Sequence, residues 1–296
     1  MRTKSIFTGS CCAIITPFDK NGNTNFDALG KIVEFQIEGG TDAICACGTT
    51  GEASTMNDKE HLEVIEFIVN KVNGRIPVIA GTGSNDTRHG IALCKDAASL
   101  GVDGLLVVTP YYNKTSQRGL VHHYTTLADS VDIPLILYNV PGRTGCNIAP
   151  ATLCTLAQHP NIAGIKEASG NMAQVVEMMS LCADKIDFYS GCDEINVPIA
   201  SMGGKGAISV LANVAPRKTH DMMQYALDGS FKEAAKLQME ALDLINSFFC
   251  EVNPIPVKEG MNLLGFEAGG TRLPLYEMAE ENVDRLRTSM KNYGLI

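Results

Sequence analysis

A chain of 296 residues with a formal charge of −9 is ill suited to nucleic acid or to an anionic membrane surface. Any small anionic substrate must then be met by a local basic group rather than by a global field. With 45% apolar and 19% charged residues the composition is that of an ordinary globular protein, and no apolar run approaches the ~20 residues needed to cross a bilayer.

The first residues lead into an apolar run too short and too soon interrupted for a secretory signal. The ten cysteines are scattered, with no CxxC, and Cys45-Ala-Cys47 has no second pair at zinc-finger spacing. We therefore expect free thiols and a reduced, cytoplasmic setting.

Short apolar runs recur along the chain at residues 12–16, 43–47, 77–80, 104–108, 134–138, 162–166, 188–190 and 206–210. Between them lie amphipathic stretches such as 26–37, 58–69, 86–98 and 119–128, the second entered through Asn57 or Asp58 as N-cap. Continuous rather than alternating apolar strands indicate parallel strands buried on both faces. Eight such units predict a (β/α)8 TIM barrel, whose usual length is ~250 residues. An open doubly wound sheet is the rival fold, but Gly81-Thr-Gly83 has Asp86 where a dinucleotide fingerprint needs its third glycine. After about Pro216 only helical patterns remain, at 231–249, 253–263 and 279–292. We read residues 1–224 as the catalytic barrel and 225–296 as a C-terminal helical region packed beside it. The pairs Met178-Met179 and Met222-Met223 read as core filler, and His122-His123 as solvated or core histidine without a third ligand.

Chemistry in such a barrel belongs to the C-terminal ends of the strands. In Asn161-Ile-Ala-Gly-Ile-Lys166-Glu-Ala-Ser-Gly170 a strand ends on a lysine. Alternation places Ile162, Gly164 and Lys166 on one face, and Gly164 is expected to leave open space beneath the lysine. Burial disfavours an ammonium and favours the neutral amine that attacks a carbonyl, whereas a snorkelling lysine would need none of this. The other strand ends supply Gly48-Thr49-Thr50-Gly51-Glu52, Tyr111-Tyr112, Tyr138, Arg143 and Ser190-Gly191-Cys192. Tyr138 is expected to point inward beside Lys166, and a phenol can pass protons without carrying full charge. Thr49 and Tyr112 are candidates for the same relay. The Thr49-Thr50 turn offers donors for one carboxylate and Arg143 a bidentate fork for another. Read singly, Tyr138 is equally an amphipathic strand-end residue and Arg143 a surface turn residue. Together with the lysine they suit an imine-forming enzyme acting on a carboxylate-bearing carbonyl compound.

The motifs Gly48-Thr-Thr-Gly-Glu52, Gly81-Thr-Gly83, Thr109-Pro-Tyr-Tyr-Asn113, Tyr138-Asn-Val-Pro-Gly-Arg-Thr144, Gly164-Ile-Lys-Glu-Ala-Ser-Gly170 and Gly203-Gly-Lys-Gly-Ala-Ile-Ser209 occur in this order across the barrel. In them the chain resembles the dihydrodipicolinate synthase family of the pyruvate-dependent Schiff-base lyases and aldolases. The resemblance implies that Lys166 forms the imine with pyruvate and that Thr49, Tyr112 and Tyr138 relay protons. It implies that Tyr112 reaches a neighbouring subunit's site, so that a homo-oligomer, a homotetramer by preference, is part of the mechanism. It further implies that Thr50 holds the pyruvate carboxylate, that the backbone at Gly191 and Ile208 shapes the pocket, and that Arg143 binds L-aspartate 4-semialdehyde. No metal or organic cofactor is implied. The family's lysine-feedback site maps to Ala53, Ser54, Asp58, His61, Asn85, His89 and Tyr111. Asp58 stands where a histidine is usual and His89 where a glutamate would hold the effector's amine, so weak or absent lysine inhibition is expected. Cys192 replaces a common aspartate.

A sugar-acid aldolase, such as N-acetylneuraminate lyase or 2-keto-3-deoxygluconate aldolase, is the alternative within the superfamily, and Gly-Arg-Thr after strand five favours the synthase. A pyridoxal-phosphate barrel is a further rival, with its phosphate at Gly203-Gly-Lys-Gly206. A non-catalytic binding barrel would need none of Lys166, Tyr138 and Tyr112.

Overall fold

A computed structural model describes residues 5–296. The chain order is β1 (Gly9–Ala13), α1 (Phe26–Glu38), β2 (Ala43–Ala46), α2 (Asp58–Val72), β3 (Val78–Gly81), α3 (Thr87–Ser99), β4 (Gly104–Val108) and α4 (Gln117–Ala128). It continues with β5 (Leu135–Asn139), α5 (Pro141–Thr144), α6 (Pro150–Leu156), β6 (Ile162–Glu167), α7 (Met172–Cys182), β7 (Asp187–Ser190), α8 (Asn196–Ser201), β8 (Gly206–Ser209) and α9 (Pro216–Leu227). Three helices follow: α10 (Phe231–Phe248), α11 (Ile255–Leu263) and α12 (Glu280–Asn292). All neighbouring strands are parallel, and β8 closes onto β1. The molecule is a (β/α)8 barrel with a helical C-terminal region.

The strands alternate between two apolar layers, as a closed parallel sheet requires. Cys11, Cys45, Ile79, Leu106, Ile136, Tyr138, Tyr189 and Ile208 fill the barrel, while neighbours such as Cys12, Ile44, Leu105, Leu137 and Phe188 face the helices. Met178, Met179, Met222 and Met223 are buried in that outer layer. Side-chain caps set the starts of some helices: Asn57 Oδ1 accepts from Glu60 N at α2, and Asp86 caps α3 through Arg88 N. All ten cysteines are free thiols. Among the described residues no helix is long and apolar enough to cross a membrane.

Four expectations are corrected. The first strand is Gly9–Ala13 rather than 12–16, because pairing with β8 begins at Gly9↔Gly206. Ile14 N still donates to Cys45 O of β2 at 3.2 Å, but Ile15 and Thr16 stay buried outside the sheet with other partners: Asn213 Oδ1 accepts from Ile15 N at 3.0 Å, and Thr16 Oγ1 donates to Gly51 O at 2.8 Å. Ile162 faces the helices, since the register slips between Leu135↔Ile162 and Ile136↔Gly164 and the inward set starts only at Gly164. The space at Gly164 is filled: a Cβ there would lie 2.9 Å from Asp187 O and 3.1 Å from the Tyr189 ring. The loop Gly203-Gly-Lys precedes β8 and so sits at the N-terminal end of the barrel, away from the end that carries Lys166. The barrel-to-extension boundary expected after residue 224 falls inside α9, and we propose that it lies after that helix.

Candidate active site

Lys166 is the fifth residue of the six-residue β6, and its inward parity carries the side chain into the barrel mouth, where it is 6% exposed. In-register pairing of β5 with β6 sets Tyr138 beside it, and Lys166 Nζ lies 4.4 Å from the centre of the Tyr138 ring. Gly191 makes room from the other side, since a Cβ there would come within 3.0 Å of Lys166 Cγ and Cε. These residues line a cavity of about 340 Å³ together with Thr49, Thr50, Arg143 and Cys192. Its floor is apolar, made by Cys45, Leu106 and Val140.

The polar wall is held by hydrogen bonds. After β2 the chain turns tightly at Gly48–Gly51, with Gly51 N donating to Gly48 O and Glu52 N to Thr49 O. Thr49 is exposed to the cavity while Thr50 is buried and accepts at Oγ1 from Asn253 Nδ2 at 3.0 Å. Arg143, on the short α5 that follows β5, donates from Nη2 to Asn253 O at 3.2 Å. Asn253 Oδ1 is buried with no protein donor. Behind Lys166, Glu167 points to the outer layer and accepts from Asn139 Nδ2 and from Ser169 N, both at 2.8 Å. Burial raises its carboxyl pKa above the ordinary value. Burial also pushes the Cys192 thiol up to about 12, so this sulfur is a protonated, uncharged neighbour of the lysine.

The structure thus brings together Lys166, Tyr138, Thr49, Thr50, Arg143 and Gly191. It does not bring in Tyr112, which is 91% exposed at φ +67° and outside the cavity. Nor does Ile208 line the cavity: it is buried in the barrel interior, and Val210, two residues on, lines the wall instead. Sequence reading missed Ile245, Asn246, Phe249 and Asn253, all from the C-terminal region. An asparagine before Pro-Ile-Pro was their one visible signal, and it carries no local pattern.

The second set of residues lies apart from the cavity. His89 bonds Asp58 Oδ1 through Nε2 at 2.9 Å and Ser84 Oγ through Nδ1 at 3.0 Å. His61 is buried and donates from Nε2 to Gly81 O at 2.8 Å, so it is a structural residue with its imidazole pKa lowered by burial. Asn85 Nδ2 donates to Tyr111 O at 3.3 Å, and Ala53 and Ser54 form a single 3-10 turn ahead of α2.

The sequence and fold are those of a known group. The family model for the dihydrodipicolinate synthetase family matches residues 6–293. A 4-hydroxy-tetrahydrodipicolinate synthase of Clostridium tetani is 55% identical over 293 residues, covering 99% of each chain. That of Caldicellulosiruptor bescii is 54% identical over 291 residues, covering 98% of each. Among solved structures, a chloride-inhibited dihydrodipicolinate synthase from Acinetobacter baumannii complexed with pyruvate superposes with a TM-score of 0.96 at 45% identity, covering 98% of this chain and 99% of that one. A structure described as the first monomeric dihydrodipicolinate synthase variant gives 0.96 at 39% identity and 98% coverage of both chains. The chain belongs to the dihydrodipicolinate synthetase family.

Proposed function

We propose that the cavity performs the synthase reaction of that family, condensing pyruvate with L-aspartate 4-semialdehyde through an imine on Lys166. The observation that carries this reading is a buried lysine, register-paired with a tyrosine, in a cavity whose polar wall holds one hydroxyl-rich turn and one guanidinium. The lysine amine attacks the ketone carbon of pyruvate. Tyr138, next to the nitrogen, hands a proton to the departing hydroxyl, so water leaves and the imine forms. The keto-acid carboxylate lies against the Thr49-Thr50 turn and the backbone at Gly191.

Loss of a methyl proton gives the enamine, whose carbon attacks the aldehyde of the second substrate while Arg143 binds that substrate's carboxylate. The chain-end amine then attacks the imine carbon, closes the ring and frees Lys166. The protonated imine is itself the electron sink, so the scheme calls for no metal or organic cofactor. Full-length relatives with the synthase name favour this reaction over a sugar-acid aldolase. We place the enzyme in the cytoplasm, a setting that keeps its ten thiols reduced.

Tyr112 completes the relay from a neighbouring copy. Its exposure and left-handed backbone suit a side chain whose partners lie outside its own chain; on that basis we infer a homo-oligomer, the family resemblance pointing to a homotetramer. The lysine-feedback pocket is disabled in this reading. The carboxylate of Asp58 is present, but His89 already occupies it, and His61 is committed to Gly81.

The decisive experiment is borohydride reduction with pyruvate followed by peptide mapping. The expected mass gain falls on the peptide containing Lys166, and a gain elsewhere overturns the assignment. Turnover of aspartate semialdehyde, set against N-acetylneuraminate and 2-keto-3-deoxygluconate, separates the synthase from the aldolases.

A further inference from the structure

Glu52 closes the Gly48–Gly51 turn in the left-handed region, at φ +56°, which residues with a side chain seldom adopt. Its carboxylate is fully enclosed. Oε1 accepts from Lys258 Nζ at 2.8 Å and Oε2 from Arg272 N at 3.1 Å. Lys258 is enclosed as well: its ammonium also donates to Gly270 O at 2.6 Å and lies 4.0 Å from the centre of the Phe18 ring. Neither residue lines the catalytic cavity. The segment that carries Lys258 also carries Asn253, which bonds Thr50. One stretch of the extension therefore grips the turn at Thr50 and again two residues later.

We infer that the buried Glu52–Lys258 pair is a positioning device, holding the Thr49-Thr50 turn in the shape that receives the keto-acid carboxylate. This rests on reading that turn as the carboxylate site. An ion pair between two enclosed groups is a costly choice for stability alone, since apolar residues of similar volume often serve as well. What it supplies here is a fixed, directional anchor for a backbone that its own conformational preference would not hold.

The pair is also sensitive to pH. Burial lowers the Lys258 ammonium pKa to about 8 against the opposing pull of Glu52. The charged groups around it are Glu52 from the turn, Arg272 from the loop after α11 and, through Arg272, Glu60 of α2 and Asp19 of the β1–α1 loop. Glu259 adjoins it on its own helix. As pH rises through about 8 Lys258 loses its proton, and the anchor of Glu52 with it.

The test is the double variant Glu52→Gln/Lys258→Met, which keeps an acceptor for Arg272 N and apolar volume against Phe18 and buries no charge. Wild type is first shown to trap pyruvate on Lys166. The variant is then expected to raise the pyruvate KM ~10-fold, the scale of a sub-ångström misplacement, with kcat changed by less than about threefold. Wild type should show a pyruvate KM that climbs as pH passes about 8, and the variant should lack that inflection. A folded variant with wild-type KM, or with the same inflection, overturns the inference. If that variant does not fold, Glu52→Asp, which keeps both charges and shortens the anchor, is read in its place: a raised pyruvate KM is expected, and a folded Glu52→Asp with wild-type KM overturns the inference. Failure of wild type to trap pyruvate on Lys166 removes the carboxylate reading, and the inference falls with it.

Discussion

Gly164 gives the sharpest test of how the barrel aims its lysine. In Gly164→Ala the new Cβ would stand 2.9 Å from Asp187 O and 3.1 Å from Tyr189 Cε2. Neither neighbour can yield cheaply. Asp187 O belongs to the β7 backbone directly opposite Gly164 in the sheet. The Tyr189 ring is stacked on Phe7 at 4.4 Å and 16°, and its hydroxyl donates to Phe7 O at 3.0 Å. Ordinary contact requires about half an ångström more room, so β6 must move away from β7. Overpacking of this kind costs ~1–3 kcal/mol, and we take about 2 kcal/mol. Because Lys166 lies two residues along the same face, a shift of about 0.5 Å should slow pyruvate trapping roughly tenfold, on a scale of ~100-fold per ångström. Urea denaturation measures the first quantity and borohydride trapping the second. Gly30→Ala, whose Cβ meets only ordinary contacts at 3.5 Å and beyond on α1, is the control and should be neutral or stabilising. A Gly164→Ala enzyme within about 0.5 kcal/mol of wild type and with its trapping rate would refute the reasoning.

Three more outcomes follow from charged groups and imidazoles elsewhere in the molecule. Lys258→Met alone strands the enclosed Glu52 carboxylate and should cost ~3–5 kcal/mol in urea denaturation, and adding Glu52→Gln should return most of it. His61 has its folded pKa below its unfolded value of 6.5, so the folded state takes up fewer protons just below that pH. Its contribution is present above pH 6.5 and lost as pH falls through the folded value; His61→Gln should therefore flatten the decline in stability between pH 7 and pH 5. Millimolar L-lysine should leave the initial rate unchanged, because His89 occupies the Asp58 carboxylate. The paired exchange Asp58→His and His89→Glu should bring inhibition in, and inhibition of wild type at low micromolar lysine contradicts the assignment.

Much of the barrel was legible because strands buried on both faces leave continuous apolar runs, as at Gly104–Val108, where prediction and structure coincide. Parity then made Tyr138 and Lys166 readable as inward neighbours. Legibility failed where the backbone was satisfied by something distant. The run after Ala13 looks like strand but bonds to Asn213, 198 residues away in sequence from Ile15. Ile162 was misplaced because a slip in register leaves no mark on composition. The gap beneath Lys166 is absent because Tyr189 enters it from the next strand.

The C-terminal region was the least legible part, for a related reason. Asn253 and Thr50 are 203 positions apart, Lys258 and Glu52 206, and neither pairing has a period that a local window can register. Yet these contacts decide what the turn after β2 can do. A barrel ending with α9 would keep Lys166 and Tyr138, whose geometry comes from strand register alone. It would lose the donor to Thr50, the backbone acceptor of Arg143 and the counter-charge of Glu52. On the proposed roles, imine-forming chemistry would therefore belong to the barrel, and the grip on the two carboxylates to the joint between barrel and extension. Variation in residues 253–258 should accordingly shift the substrate KM values while leaving intact the ability of Lys166 to be trapped by a small keto acid at saturation.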